Sequence, residues 1–294
     1  MISKYASLLG MPMLLVFFFF STNSSLYAQD DLLAELESQN QDTITKFLPP
    51  AFKAFKIANL QSTKVASKKE FYMYLSHRFG DVSKGISTFF GLDEANTKIE
   101  LIYGLFEDVQ FGISRESYRQ TYGLTAKAIL ARPTKKFPIQ LTGFTAVNMY
   151  SDLDNEQFPH LDFDHQFAYV TQVLASYRFN DGFSVLFTPT YFRQNAVLEI
   201  EQDHNQFALG MGGRYKLSKR LSVNFDYVWH LNRYSNSRYY NPISLGLDID
   251  TGGHIFQLLF TNAQSANETA FMSNAEADIL SGELYFGFNL IRVF

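Results

Sequence analysis

The sequence predicts an all-β protein, a transmembrane antiparallel up-and-down β-barrel of about twelve strands. Three observations predict this fold. Segments of about ten residues alternate apolar residues with polar or small ones. The connections between these segments are alternately short and long, and the last segment ends on an aromatic residue. Together these features are typical of bacterial outer-membrane barrels, so we expect the chain in the outer membrane.

Residues 1–28 are expected to form a secretory signal peptide that is removed on export. Lys4 precedes an almost wholly apolar run from Leu8 to Phe20, and small or polar residues then lead to Ala28. The run has about 13 residues, whereas a transmembrane helix needs roughly 20. We therefore expect cleavage before Gln29 and no helical anchor.

Composition excludes several classes of protein. The chain has no cysteine, so disulfides, thiol catalysis, cysteine metal sites and a lipoprotein anchor are excluded. No later segment is apolar enough for a membrane-spanning helix, which excludes a helical inner-membrane protein. The net charge is −4 and no cationic cluster follows one face, so nucleic acid is not an expected partner.

Residues 29–69 differ from the rest and form the second predicted segment. Asp31–Gln39 has the apolar spacing of a short amphipathic helix, and Pro49 and Pro50 end it. Phe52–Leu60 has the pattern of an additional strand, but a thirteenth strand would spoil the even count. We therefore assign residues 29–69 to the periplasm or to the barrel lumen as a partial plug.

Residues 70–294 are predicted to form the barrel. The clearest strand runs from Leu221 to Leu231, where Phe225, Tyr227 and Trp229 share one face. The predicted strands are 70–79, 97–106, 109–118, 121–132, 137–150, 166–179, 183–194, 205–217, 221–232, 242–251, 253–263 and 282–294.

The connections support this assignment independently. If Phe294 ends in the periplasm, every second connection is a short turn, such as Asn180-Asp181-Gly182 or Thr251-Gly252-Gly253. The connections between them are mostly longer, namely 80–96, 151–165, 195–204, 233–241 and 264–281. Only the turn near Arg119 departs from the alternation of short and long connections, because it is short where a long loop is expected. In the first long loop, Ser83–Phe90 is predicted to form a short helix.

A soluble β-sandwich or a lipocalin-like barrel is the alternative fold. Its strands would also alternate, but its outer face would be richly charged. Here the non-apolar face consists of Gly, Ala, Ser, Thr and Gln with scattered charges. That composition favours a small, filled lumen inside a membrane barrel.

The last strand carries the expected assembly signal. Phe286, Phe288 and Leu290 share one face, and the sequence ends on Phe294. Aromatic rings are stable at the membrane–water interface, and the outer-membrane assembly machinery reads such a terminal strand. Arg292 occupies a position where the pattern expects an apolar residue. Outer-membrane lipid and the assembly machinery are therefore the expected partners.

From about Phe52 to the C-terminus, several short segments carry a family resemblance. They are His77-Arg78-Phe79-Gly80, Phe90-Gly91-Leu92-Asp93, Gly112-Ile113-Ser114-Arg115, Ala208-Leu209-Gly210, Gly212-Gly213-Arg214, Asp248–Asn262 with Asp250-Thr251-Gly252-Gly253-His254 inside it, Phe286-Gly287-Phe288-Asn289 and Arg292-Val293-Phe294. With these segments the chain resembles the outer-membrane β-barrel family called domain of unknown function 5777, which occurs in Bacteroidota. The resemblance implies fold and location, accounts for Arg292, and transfers no catalytic residue.

Enzymatic and metal-dependent functions are alternatives that the sequence does not favour. An outer-membrane lipid hydrolase would need a serine beside a lipid-facing histidine. His77 and His254 fall on the same strand faces as apolar residues, so they are the candidates for such a histidine. Asp162 and Asp164 in Leu161–His165 resemble oxygen ligands for Ca²⁺ or Mg²⁺, although acidic surface loops are commonplace. We expect no catalysis, no cofactor and no metal.

Charges on the inward face are the better functional candidates. The expected lumen-lining residues are Glu100, Lys127, Arg178, Arg214, Lys216, Asp226, Asp248 and Asp250. They either line a narrow passive channel for small solutes or pair across a closed barrel whose outer loops bind a partner. The presence of both signs favours pairing, while the frequency of channels among such barrels slightly favours the first function.

Overall fold

The computed structural model describes residues 47–153 and 162–294. The expected signal peptide, the helix expected at 31–39 and Leu161, the first residue of the acidic segment Leu161–His165, lie outside the described residues. Within these two ranges, no helix is long and apolar enough to cross a bilayer.

Twelve antiparallel strands form a closed barrel, as the sequence predicts. Each strand pairs with its neighbours in chain order, and the first pairs with the last. The strands are β1 (Phe71–Asp81), β2 (Ala95–Phe106), β3 (Val109–Glu116), β4 (Thr121–Ala131), β5 (Ile139–Tyr150), β6 (Phe167–Arg178), β7 (Phe183–Gln194), β8 (Asn205–Lys216), β9 (Leu221–His230), β10 (Ile243–Asp250), β11 (His254–Thr261) and β12 (Tyr285–Val293).

Burial alternates along every strand because successive side chains point to opposite faces of the sheet. In β9, Asn224, Asp226 and His230 are buried, whereas Phe225 and Trp229 are exposed on the outer surface. The exposed outer face is apolar and aromatic, and the buried inner face is mainly polar. This arrangement inverts that of a soluble barrel and suits a bilayer around the outside.

The connections divide the barrel into two ends. The end that holds Phe71 and Phe294, here the short-turn end, has the connections 107–108, 132–138, 179–182, 217–220 and 251–253. The opposite, long-loop end has 82–94, 117–120, 151–166, 195–204, 231–242 and 262–284. Only 117–120 is short at that end, as predicted near Arg119, and the helix predicted at Ser83–Phe90 is a 3₁₀ segment, Val82–Thr88.

The strand closing the barrel presents the predicted apolar face. Phe286 and Phe288 lie outward, and the Phe286 ring stacks on Phe79 with centroids 5.7 Å apart. Phe294 extends beyond β12, where its amide donates to the Phe71 carbonyl at 2.9 Å. The Arg292 guanidinium lies 4.8 Å from the Phe294 ring centroid, so this arginine is at the short-turn rim and outside the apolar band.

One alternative from the sequence is wrong. Phe52–Leu60 does not add a strand, because these residues lie inside the barrel and pair with no strand of the wall. Their apolar side chains contact the inner wall in place of lipid. The even strand count is therefore preserved.

Replacing Phe294 with aspartate is expected to lower the outer-membrane level of the protein several-fold. An exposed aromatic end would be replaced by a charge in the strand that the assembly machinery reads. Val293→Asp is the matched control, since Val293 is adjacent and also exposed but belongs to the other face. Heat-modifiable migration of membrane fractions gives the measurement, and equal loss in both variants would contradict the prediction.

Candidate functional site in the barrel lumen

The eight candidate charges all lie on the inward face of their strands. Glu100, Lys127, Asp226 and Asp248 are deeply buried. Arg178, Arg214, Lys216 and Asp250 lie closer to the short-turn end and are partly exposed. Within the described residues, no ion pair joins two members of this set. Asp226 and Lys127 bind one of the segments that enter the lumen, whereas Glu100 and Asp248 contact other residues of the wall.

The first of these segments is residues 51–66, here called the N-terminal plug, of which all but Lys53 and Lys64 are buried. Its backbone is anchored on Asp226, whose Oδ2 accepts hydrogen bonds from the amides of Ala58, Asn59 and Leu60 at 3.0, 2.8 and 3.0 Å. A carboxylate that accepts several backbone N–H groups satisfies donors that burial would otherwise leave unpaired.

Lys127 supplies the complementary contact to the plug carbonyls. Its Nζ donates to the carbonyl oxygens of Ser62 and Lys64 at 3.0 and 3.2 Å. On the other side of the lumen, Asn289 of β12 donates to the Ala58 carbonyl at 3.0 Å. The wall therefore binds both the donors and the acceptors of the plug backbone.

Glycines on the inner wall make room for the plug. A Cβ at Gly212 would collide with the Ile57 side chain. A Cβ at Gly246 would lie 3.6 Å from the Cβ of Ala58, which places the plug backbone close to β10. Such close approach explains why the inner face is rich in glycine here.

The second segment is residues 262–275, here called the loop plug, which enters from the long-loop end. It contains one short helix, α1 (Glu268–Ser273), all of whose residues are buried. Glu116 of β3 accepts hydrogen bonds from the Ala266 amide and the Asn267 side chain, both at 2.7 Å. The sequence placed 264–281 among the outer loops open to partners, and the burial of residues 265–275 corrects that expectation.

The two plugs meet at Glu268. Its carboxylate lies 2.9 Å from Lys56 Nζ and accepts a hydrogen bond of 2.8 Å from Gln61 Nε2, both in the N-terminal plug. Lys98 of the wall lies 3.7 Å from the same carboxylate and 3.3 Å from Glu100. These side chains are at most 4% exposed, so each charge depends on its partners.

The sequence could have found some of the residues that it missed. Arg78 and Lys98 have inward parity on β1 and β2, and Arg78 donates to the Asn59 side chain at 2.8 Å. Parity alone would have added both to the lumen set. Lys56 and Glu268 lie outside any strand, so no periodic pattern marks them.

The residues of the enzymatic and metal alternatives have other contacts. His77 Nδ1 lies 2.8 Å from Thr97 Oγ1, and its ring stacks on Phe288. Asp162 and His165 cap the 3₁₀ turn at Phe163–Gln166. In residues 47–153 and 162–294, no group of three or more His, Asp or Glu side chains is placed to hold a metal ion.

Asp226→Ala is expected to release the N-terminal plug. The variant loses three hydrogen bonds to a charged group, each worth about 1.5–3 kcal/mol. Trypsin should then cleave after Lys56, which is buried, at least about tenfold faster, as a loss of 1.4 kcal/mol already implies. The control is Asp250→Ala, which removes the pair with the exposed Lys53 and the hydrogen bond from the Gly252 amide at the short-turn end. Equal protection of Lys56 in both variants would show that Asp226 does not hold the plug.

The ionisation of Glu268 predicts a pH dependence of the loop plug. Burial alone would raise the pKa of Glu268, but Lys56 and Lys98 outweigh it, and the pKa lies below its ordinary value. A lowered pKa in the seated state stabilises seating above about pH 4.3, the value for a solvated Glu, and that stabilisation is lost as pH falls further.

Amide exchange of residues 262–275, corrected for its intrinsic pH dependence, should therefore accelerate below about pH 4. Glu268→Gln removes the carboxylate partner of Lys56, which keeps only its hydrogen bond to the Ala266 carbonyl. This variant should exchange at least about tenfold faster at pH 7, with no acceleration from this group at low pH. Identical pH profiles for the two proteins would contradict the assignment.

Comparison with protein families agrees with this architecture. A family model described as membrane bound beta barrel domain (DUF5777) matches residues 52–294. Comparison with curated proteins gives no significant match. Among solved structures, the chain is similar to the KdgM porin, with 7% identity and a TM-score of 0.48 over 76% of this chain and 99% of that chain.

Two further solved structures show similar values. The NanC porin has 7% identity and a TM-score of 0.47 over 76% of this chain and 98% of that chain. An outer membrane channel from Pseudomonas putida F1 has 11% identity and a TM-score of 0.47 over 79% and 98%. Similarity at this level carries no inference about activity.

The family match has a structural meaning. It begins at Phe52, near the first residue of the N-terminal plug, and ends with the last residue after β12. The plug is therefore part of the family domain together with all twelve strands, as the resemblance in the sequence implies. The chain belongs to the DUF5777 family of membrane-bound β-barrel domains.

Proposed function

We propose that this protein is a narrow outer-membrane channel for small polar solutes, closed in the described state by its two plugs. The observation that carries the proposal is the nature of the contact between wall and plug. Asp226, Lys127 and Asn289 hold the N-terminal plug through hydrogen bonds to its backbone. If the plug withdraws, the same groups form a polar wall that water can wet.

The size of the barrel supports a passage. Eight strands enclose an interior that side chains can just fill, and the diameter grows roughly linearly with strand number. Twelve strands leave more space, which backbone segments fill here. By the rule of short periplasmic turns, the N-terminal plug enters from the periplasm and the loop plug from outside.

The inward charges would then line the passage. Arg214 lies near the short-turn end with Asp248 and Asp250, so both signs are present along the wall. Mixed charge favours small polar solutes over selection for one ion sign. No catalytic role is part of this proposal.

A closed structural barrel is the second candidate, and one observation favours it. The Glu268 junction is fully buried and joins both plugs to Lys98 of the wall. Opening must separate these charges, which is costly unless water replaces the lost partners. The two candidates therefore differ in whether the plugs ever leave the lumen.

A reversible covalent lock distinguishes them. Ala58→Cys with Gly246→Cys would place two Cβ atoms about 3.6 Å apart, within the range for a disulfide, in a chain without other cysteines. In planar bilayers, the oxidised double variant should show no conductance steps, and a reductant should restore them. Each single variant under the same redox conditions is the control.

Two results would contradict the channel. One is equal conductance of the locked and the reduced protein, which would place the current outside the lumen. The other is a silent bilayer for the wild type, for Asp226→Ala and for a chain without residues 29–69. That second result would leave the closed barrel as the function.

A further inference from the structure

Four uncharged polar side chains lie on four adjacent strands of the inner wall, and this group is here called the polar strip. Its members are Gln172, Thr188, Gln206 and His230, on β6, β7, β8 and β9, and each is at most 4% exposed. Gln172 and His230 lie at one level of the wall, since Gln172 pairs with Thr190, Thr190 with Ala208 and Ala208 with His230. Thr188 lies two residues from that level on one side, and Gln206 lies two residues from it on the other.

The strip is unusual because its polar atoms lack partners. Gln172 Oε1, Thr188 Oγ1, Gln206 Oε1 and both ring nitrogens of His230 have no hydrogen-bond partner within residues 47–153 and 162–294. The amide nitrogen of Gln206 is tied to Gln194 at 3.0 Å, which leaves its oxygen for another donor. Buried polar groups are nearly always paired, so this cluster requires an explanation.

Apolar side chains of the loop plug, together with Leu60 of the N-terminal plug, pack against the wall beside the strip. Helix α1 lies against β6, β7 and β9. Its Phe271 and Met272 belong to the same apolar cluster as Phe192 and Ala208 of the wall. Towards β5 the same segment is well matched, because Thr269 Oγ1 lies 2.7 Å from Tyr150 Oη. Unpaired buried polar atoms also occur elsewhere on the wall, for example at Ser76 and Asn224, but the strip brings four such residues together on four adjacent strands.

An amphipathic ligand would resolve this mismatch. The strip offers amide oxygens, a hydroxyl and an imidazole, which together can donate and accept hydrogen bonds without a full charge. The Phe192 ring lies beside His230, with centroids 5.3 Å apart, and provides an apolar face. A sugar has hydroxyl groups for the polar atoms and C–H faces for the ring.

We infer that the polar strip is a binding site for a neutral, polyhydroxylated solute of the carbohydrate class, uncovered when α1 withdraws from the lumen. This inference rests on the proposed channel and names the solute class of that channel. An anionic solute would require a cation, and the four residues of the strip supply no permanent one.

The test begins with a variant that loosens α1. Arg233 donates to the carbonyl oxygens of Met272 and Ser273 at 3.0 and 2.9 Å, so Arg233→Ala releases the C-terminal end of the helix. In planar bilayers, maltotriose should block the current through this variant in a concentration-dependent way. Glucuronate, an anionic sugar, should block less in this variant and also in Glu268→Gln, which retains Arg233 beside Gln206.

Substitutions in the strip give the specific readout. On the Arg233→Ala background, Gln206→Leu with His230→Phe should raise the maltotriose concentration for half-block at least about fivefold. Gln140→Leu is the matched control, because this lumenal amide contacts the N-terminal plug and lies outside the strip. Its half-block concentration should stay unchanged.

The outcomes separate the inference from the proposed function. The inference is overturned if Arg233→Ala conducts but maltotriose does not block it, or if the strip substitutions do not change the half-block concentration. Either result leaves the proposed channel function standing. Stronger block by glucuronate overturns the solute class. Glu268→Gln loosens the other end of α1 and serves as a second opening variant if Arg233→Ala does not show the heat-modifiable migration of a folded barrel. If every folded variant shows no conductance, both proposals are overturned.

Discussion

Filling the interior of a wide barrel is the constraint on which the rest of this structure depends. A membrane forces the sheet to close, because an open edge would leave backbone groups unpaired in lipid. Closing twelve strands encloses more space than the inward side chains fill. Backbone segments fill it here, and each buried N–H or C=O of those segments then needs a partner on the wall. The inward Asp, Lys, Asn and Gln residues supply these partners.

The two plugs are energetically linked through the Glu268 junction. Glu268 belongs to one plug and Lys56 to the other, so withdrawal of either plug removes an ion-pair partner from the other. The free energy of releasing one plug must depend on the position of the other, and by linkage the dependence is equal in both directions. Contacts made with the loop plug at the long-loop end would therefore alter the stability of the N-terminal plug at the opposite end.

Much of this fold was predictable because barrel strands carry a strict two-residue period. Because Trp229 faces outward and side chains alternate along a strand, the sequence alone places Asp226 and His230 on the inward face. Asn180-Asp181-Gly182 marks a hairpin because these residues favour a tight turn. What Asp226 binds was not predictable, because its partners lie far away in a segment without a period. The same limit made Phe52–Leu60 resemble a strand, since apolar residues facing a glycine-rich wall and apolar residues facing lipid have the same local pattern.

The long separation between the N-terminal plug and its partners has a consequence for the order of assembly. Ala58 is 168 residues from Asp226 and 231 residues from Asn289, which lies on the strand that closes the barrel. The plug precedes every strand in the chain, and it therefore gains its last wall partner only when the last hairpin arrives. Strand closure and complete plug seating coincide at β12, so a barrel arrested before that strand would have both an open sheet edge and an incompletely anchored plug.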